Sequence, residues 1–150
     1  MRALRVAILV GSGIVLGLAW NGLSGRGIAL TGNVYLKPGD ELVTVQEAKR
    51  RFDKGAVLLV DARVRLVYEL ERIPGALSLP EDEFETAFAA LEPRLRGRYD
   101  ILVYCDGFGC EASHEVARLL KARGIPASVL DGGIPAWREA GYPLTTEPPP

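Results

Sequence analysis

Ile101-Leu102-Val103-Tyr104-Cys105-Asp106-Gly107-Phe108-Gly109-Cys110-Glu111, followed by Val116, Ala117, Leu119 and Leu120, changes character twice. Four apolar residues in a row fit a strand covered on both faces. A glycine-bearing turn comes next, and from Ser113 the apolar residues recur at helical spacing. The expected order is buried strand, tight loop, helix. Cys105 then lies at the carboxyl end of a strand and just ahead of a helix N-terminus, where unpaired N–H groups and the helix dipole favour negative charge. A cysteine so placed is a candidate nucleophile in its thiolate form.

The same grammar extends to both sides. Val57-Leu58-Leu59-Val60 is a second continuous apolar run and delivers Asp61-Ala62-Arg63. Leu77-Ser78-Leu79 and residues 127–130 read as further short strands. Thr44-Val45-Gln46-Glu47 fits a capping box, with Val45, Ala48 and Phe52 on one helical face and Gly55 at the end. Pro80-Glu81-Asp82-Glu83 opens a helix with an acidic first turn, in which Phe84, Phe88 and Leu91 point one way and Pro93 ends the pattern. The helix after the cysteine loop stops at Gly124, with Pro126 beyond, and residues 134–140 read as a last short helix. Strands alternating with helices on short connections predict an α/β domain: a mainly parallel sheet with helices on both faces. Ligands of such sheets bind beyond the carboxyl ends of the strands, so Asp61 and Cys105 are expected at one site.

Hydrophobic residues make up 48% of the 150, but many of them sit in one N-terminal block, so the rest is ordinary for one domain. That block, residues 4–23, is rich in Leu, Val, Ile, Ala and Gly, and is uncharged beyond Arg5. Its length suits a membrane-spanning helix, and Trp20 near its end suits the interface. Arg2 and Arg5 keep the N-terminus cytoplasmic under the positive-inside rule. A cleaved signal peptide ending at Gly17-Leu18-Ala19 is the competing reading, which the length of the run disfavours. Either way the domain is expected outside the cytoplasm, in the periplasm or at the cell exterior, tethered in the anchor reading to the inner (plasma) membrane by a single pass. The organisation expected is an anchor at 1–24, a glycine-rich linker at 25–42, the folded domain at 43–144 and a tail at 145–150. The formal net charge is -1 and no basic stripe interleaves with aromatics, which argues against nucleic acid as a partner. A single histidine, His114, and two cysteines five residues apart exclude a zinc site of the usual spacing, and no motif calls for a cofactor.

Three separated stretches resemble one family. Val60-Asp61-Ala62-Arg63 with Ile73-Pro74-Gly75-Ala76-Leu77 is similar to the first rhodanese signature. Val103-Tyr104-Cys105 with its loop and helix resembles the rhodanese active-site loop. Leu130-Asp131-Gly132-Gly133, with Ala136-Trp137 and Ala140-Gly141-Tyr142-Pro143-Leu144, resembles the closing signature. The resemblance implies a five-stranded, mainly parallel sheet and a catalytic Cys105 that carries sulfane sulfur as a persulfide between a donor such as thiosulfate and a thiol acceptor, protein thiols included. Loop amides from Asp106, Gly107, Phe108, Gly109, Cys110 and Glu111 would cradle the sulfur, with Arg63 at the pocket wall.

Two departures from the family pattern bear on chemistry. Arg72 stands where the first signature usually has histidine, and the loop from Cys105 to Ser113 reads as about two residues longer than usual. That loop carries Asp106 and Glu111 and no basic residue, which disfavours an anionic donor. Cys110 reads either as a resolving thiol for Cys105 or as a small packing residue, and the pair can close a disulfide if their Cα atoms come within about 7 Å. Asp61 reads as structural, Arg63 as structural or pocket-lining, His114 as a solvated surface residue, Gly132 and Gly133 as turn residues and Trp137 as core. A membrane-tethered sulfurtransferase is the leading function. The alternatives are a non-catalytic binding module and a Cys105/Cys110 dithiol redox protein.

Overall fold

The computed structural model describes residues 2–23, 38–97, 100–107 and 110–147. Two units separate, Met1–Val34 and Tyr35–Pro150. In the first, α1 (Arg2–Leu23) is one continuous 22-residue helix, with Val6, Leu9, Ile14, Leu16 and Trp20 exposed. Among the described residues no helix is long and apolar enough to cross a membrane; Arg2, Ala3, Leu4, Ala7, Ile8 and Gly22 of α1 lie outside that description beyond their backbone. Most of the expected linker, residues 24–37, also lies outside the described residues.

The second unit runs β1 (Leu42–Val43), α2 (Val45–Asp53), β2 (Val57–Asp61), α3 (Arg65–Leu70), β3 (Leu77–Ser78), α4 (Phe84–Leu95), β4 (Asp100–Tyr104), α5 (Glu111–Ala122), β5 (Ala127–Leu130) and α6 (Gly133–Glu139). The five strands form one sheet in the order β1-β5-β4-β2-β3, and every pairing is parallel rather than mainly so. Successive residues of a strand face opposite ways. Ile101 and Val103 therefore join Val60 and Val129 beneath α4 and α5, while Leu102 and Tyr104 join Leu59 and Leu130 on the other face with Ala48, Ile134 and Trp137. Burial on both faces is why the central strands are unbroken apolar runs.

Thr44 caps α2 through the Glu47 N–H, as the capping-box pattern predicts. The Glu47 carboxylate bonds Arg50 and Arg51 one turn on. Trp137 is fully buried, donates its indole N–H to the Pro143 carbonyl at 2.9 Å, and meets Phe52 and Tyr142 edge-on.

The structure corrects the local reading at several points. β1 and α3 have no counterpart in the sequence reading. The helix expected from Pro80 begins at Phe84, and Pro93 does not end it. A proline inside a helix crowds the carbonyl four residues back and gives up one N–H bond, yet α4 runs on past Pro93 to the buried Leu95. The helix expected from Ser113 begins at Glu111 with Cys110 as its N-cap. Glu111, read as part of the loop, and Ala112 therefore belong to α5.

Candidate active site

Strands β2 and β4 are in register across the middle of the sheet, with Asp61 opposite Tyr104. The chain leaves both at the same edge, so Ala62-Arg63 and Cys105-Asp106 emerge side by side. The Ala62 N–H bonds the Tyr104 carbonyl at 2.9 Å, which ties the two exits together. Beyond them opens a cleft of about 350 Å³ lined by Ala62, Arg63, Val64, Glu81, Asp82, Cys105, Asp106, Cys110 and Ala112. Of the residues singled out in the sequence, Arg63, Cys105, Asp106 and Cys110 line this one cleft. Gly107 and Glu111 lie on the loop and its helix but do not line the cleft, and Phe108 and Gly109 lie outside the described residues. Glu81 and Asp82, read earlier only as a helix start, are additional walls of the cleft. Their position at the carboxyl edge of β3 was the available signal.

Cys105 and Cys110 are joined by a disulfide, with Cα atoms 6.2 Å apart. Cys105 is buried to 4% exposure, and its carbonyl accepts the Ile134 N–H at 2.9 Å. Gly133 makes that approach possible. A Cβ there would fall 2.3 Å from the Cys105 carbonyl oxygen and 2.8 Å from the Gly107 nitrogen, and its φ of +56° suits glycine. Gly133 thus does more than turn the chain: it seats the cysteine backbone.

Asp61 and Arg63 form a buried ion pair beneath the site. The guanidinium takes both carboxylate oxygens, at 2.9 Å from Nε and 2.6 Å from Nη2, and also donates to the Glu71 carbonyl. Burial opposes the Arg63 charge, but the Asp61 hydrogen bond and charge outweigh it and hold the guanidinium above its ordinary pKa. Asp61 also accepts the Arg63 N–H, closing the turn out of β2. Burial first, then the Asp61 charge, pushes the Tyr104 phenol up; its oxygen accepts the Ile73 N–H at 3.2 Å. Arg63 further approaches Asp106 at 3.6 Å. Its positive charge is therefore spoken for by Asp61 and Asp106, and the cleft adds Glu81 and Asp82, with no second cation in its wall among the described residues. An oxyanion is poorly matched to such a lining.

His114 corrects the expectation of a solvated residue. It is 2% exposed, and its Nδ1 lies 3.2 Å from an Asp40 carboxylate oxygen that also accepts from Arg118 at 2.7 Å. This cluster pins α5 to the chain just before β1. Arg72 is likewise buried: its guanidinium stacks over Tyr68 and donates to the Glu147 carbonyl, while its backbone pairs with Thr145. It latches the C-terminal segment rather than facing the cleft.

Comparison with known proteins gives a coherent picture. The model of the Rhodanese-like domain matches residues 44–140. The HTH-type transcriptional regulator Rv0324 of Mycobacterium tuberculosis is 32% identical over 117 residues, covering 78% of this chain and 50% of the regulator, so the chain spans half the length of that relative. The BH2092 protein from Bacillus halodurans shares the fold with a TM-score of 0.64 at 24% identity, over 71% of this chain and 77% of that one. Thiosulfate sulfurtransferase from Pseudomonas aeruginosa matches with a TM-score of 0.59 at 26% identity, over 73% of this chain and 21% of that one.

Proposed function

The chain belongs to the rhodanese-like domain family, and from that premise we propose that it is a sulfurtransferase carrying sulfane sulfur as a persulfide on Cys105. One observation carries the proposal: Cys105 leaves the central strand β4, stands ahead of the α5 N-terminus and opens onto a cleft. In the disulfide form Cys105 has no free thiol. The cycle therefore starts with reduction of that bond by a dithiol. The Cys105 thiolate then attacks the outer sulfur of a persulfide donor, and the donor thiolate leaves. The acidic lining favours a small thiol persulfide over the thiosulfate dianion as donor.

Intact-mass analysis of the reduced full-length chain after exposure to cysteine persulfide is the test, with Cys105→Ser beside it. Cys105→Ser is expected to lose sulfur uptake entirely, and thiosulfate is expected to load the native chain far more slowly than the persulfide. Equal uptake by Cys105→Ser rules out the carrier role.

The Cys105–Cys110 bond favours a second reading, a dithiol redox protein. Reversible oxidation of the pair with no sulfur uptake from any donor supports that reading instead.

We further propose that α1 anchors the domain in the membrane, with the domain on the outer side. The sequence of this 22-residue helix is uncharged from Val6 onward, and about 20 apolar residues span a bilayer. The full-length chain is expected to stay with the membrane fraction through an alkaline carbonate wash, and a chain lacking residues 1–24 to be released. Release of both forms overturns the anchor.

A further inference from the structure

We infer that Cys110 discharges the Cys105 persulfide within the same chain and frees the outer sulfur as hydrosulfide, an inference that rests on Cys105 as the sulfur carrier. The two cysteines stand at opposite ends of one short loop: Cys105 follows β4, and Cys110 is the N-cap of α5. Their sulfurs are bonded. Cys110 Sγ therefore reaches Cys105 Sγ, the atom that becomes the inner sulfur of a persulfide. No side-chain hydrogen bond fills the α5 cap, and a thiolate is favoured there by the first-turn N–H groups and the dipole of a 12-residue helix.

The cleft supplies a reason for discharge inside the chain. Glu81, Asp82 and Asp106 share its wall with both cysteines, and Arg63 is engaged by Asp61 and Asp106. Those carboxylates slow any thiolate arriving from solvent, the later dithiol reductant included, whereas Cys110 is already beside Cys105 and gains the advantage of an intramolecular reaction. The same carboxylates favour departure of a small anion into water.

In the step itself, the Cys110 thiolate attacks Cys105 Sγ. The Cys105–Cys110 bond forms while the bond from Cys105 Sγ to the outer sulfur breaks. The outer sulfur leaves with that electron pair and the persulfide proton as hydrosulfide. The sulfane sulfur is reduced to sulfide, and the two cysteines are oxidised to the disulfide seen in the structure. A dithiol reductant then restores both thiols and is itself oxidised to a disulfide. Over one turn, a persulfide and a dithiol yield a thiol, hydrogen sulfide and a disulfide.

The experiment uses the reduced full-length chain in mild detergent, freed of reductant and given one equivalent of cysteine persulfide. Sulfide is trapped with a bimane reagent, intact mass is followed, and Cys105→Ser supplies the background. The native chain is expected to release one sulfide and to end two hydrogens lighter than its reduced form. Cys110→Ser is expected to keep one added sulfur on Cys105 and to release sulfide at least about 10-fold more slowly, given the usual advantage of an intramolecular reaction. Serine is a favoured N-cap, so the start of α5 is preserved in that variant. Sulfide release by Cys110→Ser at the native rate, or lasting retention of the added sulfur by the native chain, overturns the inference. Uptake by neither chain overturns instead the carrier role of Cys105 beneath it.

Discussion

Gly133→Ala is expected to cost the domain about 2–5 kcal/mol, combining the left-handed backbone penalty with overpacking against a rigid neighbour. The added methyl would meet the Cys105 carbonyl oxygen at 2.3 Å and the Gly107 nitrogen at 2.8 Å. Both are backbone atoms and cannot swing aside as a side chain would. A loss of that size is a large part of the roughly 5–15 kcal/mol that holds a typical domain folded. Gly141→Ala is the matched control: its φ is +72°, and a Cβ there has nothing within 4 Å. It carries only the conformational strain, about 1–2 kcal/mol. Urea midpoints of the two variants separate strain from collision. If Gly133→Ala loses no more than Gly141→Ala, the close approach to the cysteine backbone is not a real constraint.

Asp61→Ala is expected to lose about 3–5 kcal/mol, the usual consequence of leaving one half of a buried ion pair uncompensated. Asp61 is fully buried and the Arg63 side chain is 4% exposed, so solvent cannot take over the lost partner. What remains to Arg63 is the neutral Glu71 carbonyl and a long ion pair with the surface carboxylate of Asp106. Because the harm comes from the stranded cation, the double variant Asp61→Ala/Arg63→Met is expected to be more stable than Asp61→Ala alone. Thermal melts of the three proteins decide it. A double variant no better than the single means that the lost turn at the end of β2, closed by the Asp61–Arg63 backbone contact, is the dominant effect.

The parts of this architecture that were legible in the sequence are those set by local pattern. Residues 57–60, 101–104 and 127–130 announce themselves because a strand covered on both faces has no polar positions. Cys105 was legible for the same reason, as the first residue past such a run. Pieces governed by distant partners were not. Leu42–Val43 is a strand only because β5 lies beside it, and two residues carry no period. Arg65–Leu70 shows Leu66 and Leu70 to solvent, and its first turn lacks a side-chain cap, so neither a helical face nor a start signal marks it. His114 is buried because a carboxylate 74 residues away meets it. The disulfide needed a distance that no spacing rule supplies; the observed 6.2 Å falls within the reach allowed for it. The start of α5 was misplaced because Cys110 and Glu111 are ordinary loop residues in composition, while the structure uses one as cap and the other as first turn.

The position of β5 has a bearing on synthesis. β5, the last strand in chain order, lies between β1 and β4, so the sheet is joined across that position only after the other four strands have been made. Until residues 127–130 leave the ribosome, β1 has no neighbour and β4 exposes a bare row of amides and carbonyls. A nascent or prematurely terminated chain is thus an adhesive half-sheet, and whatever escorts it during translation must shield that row until the closing segment arrives.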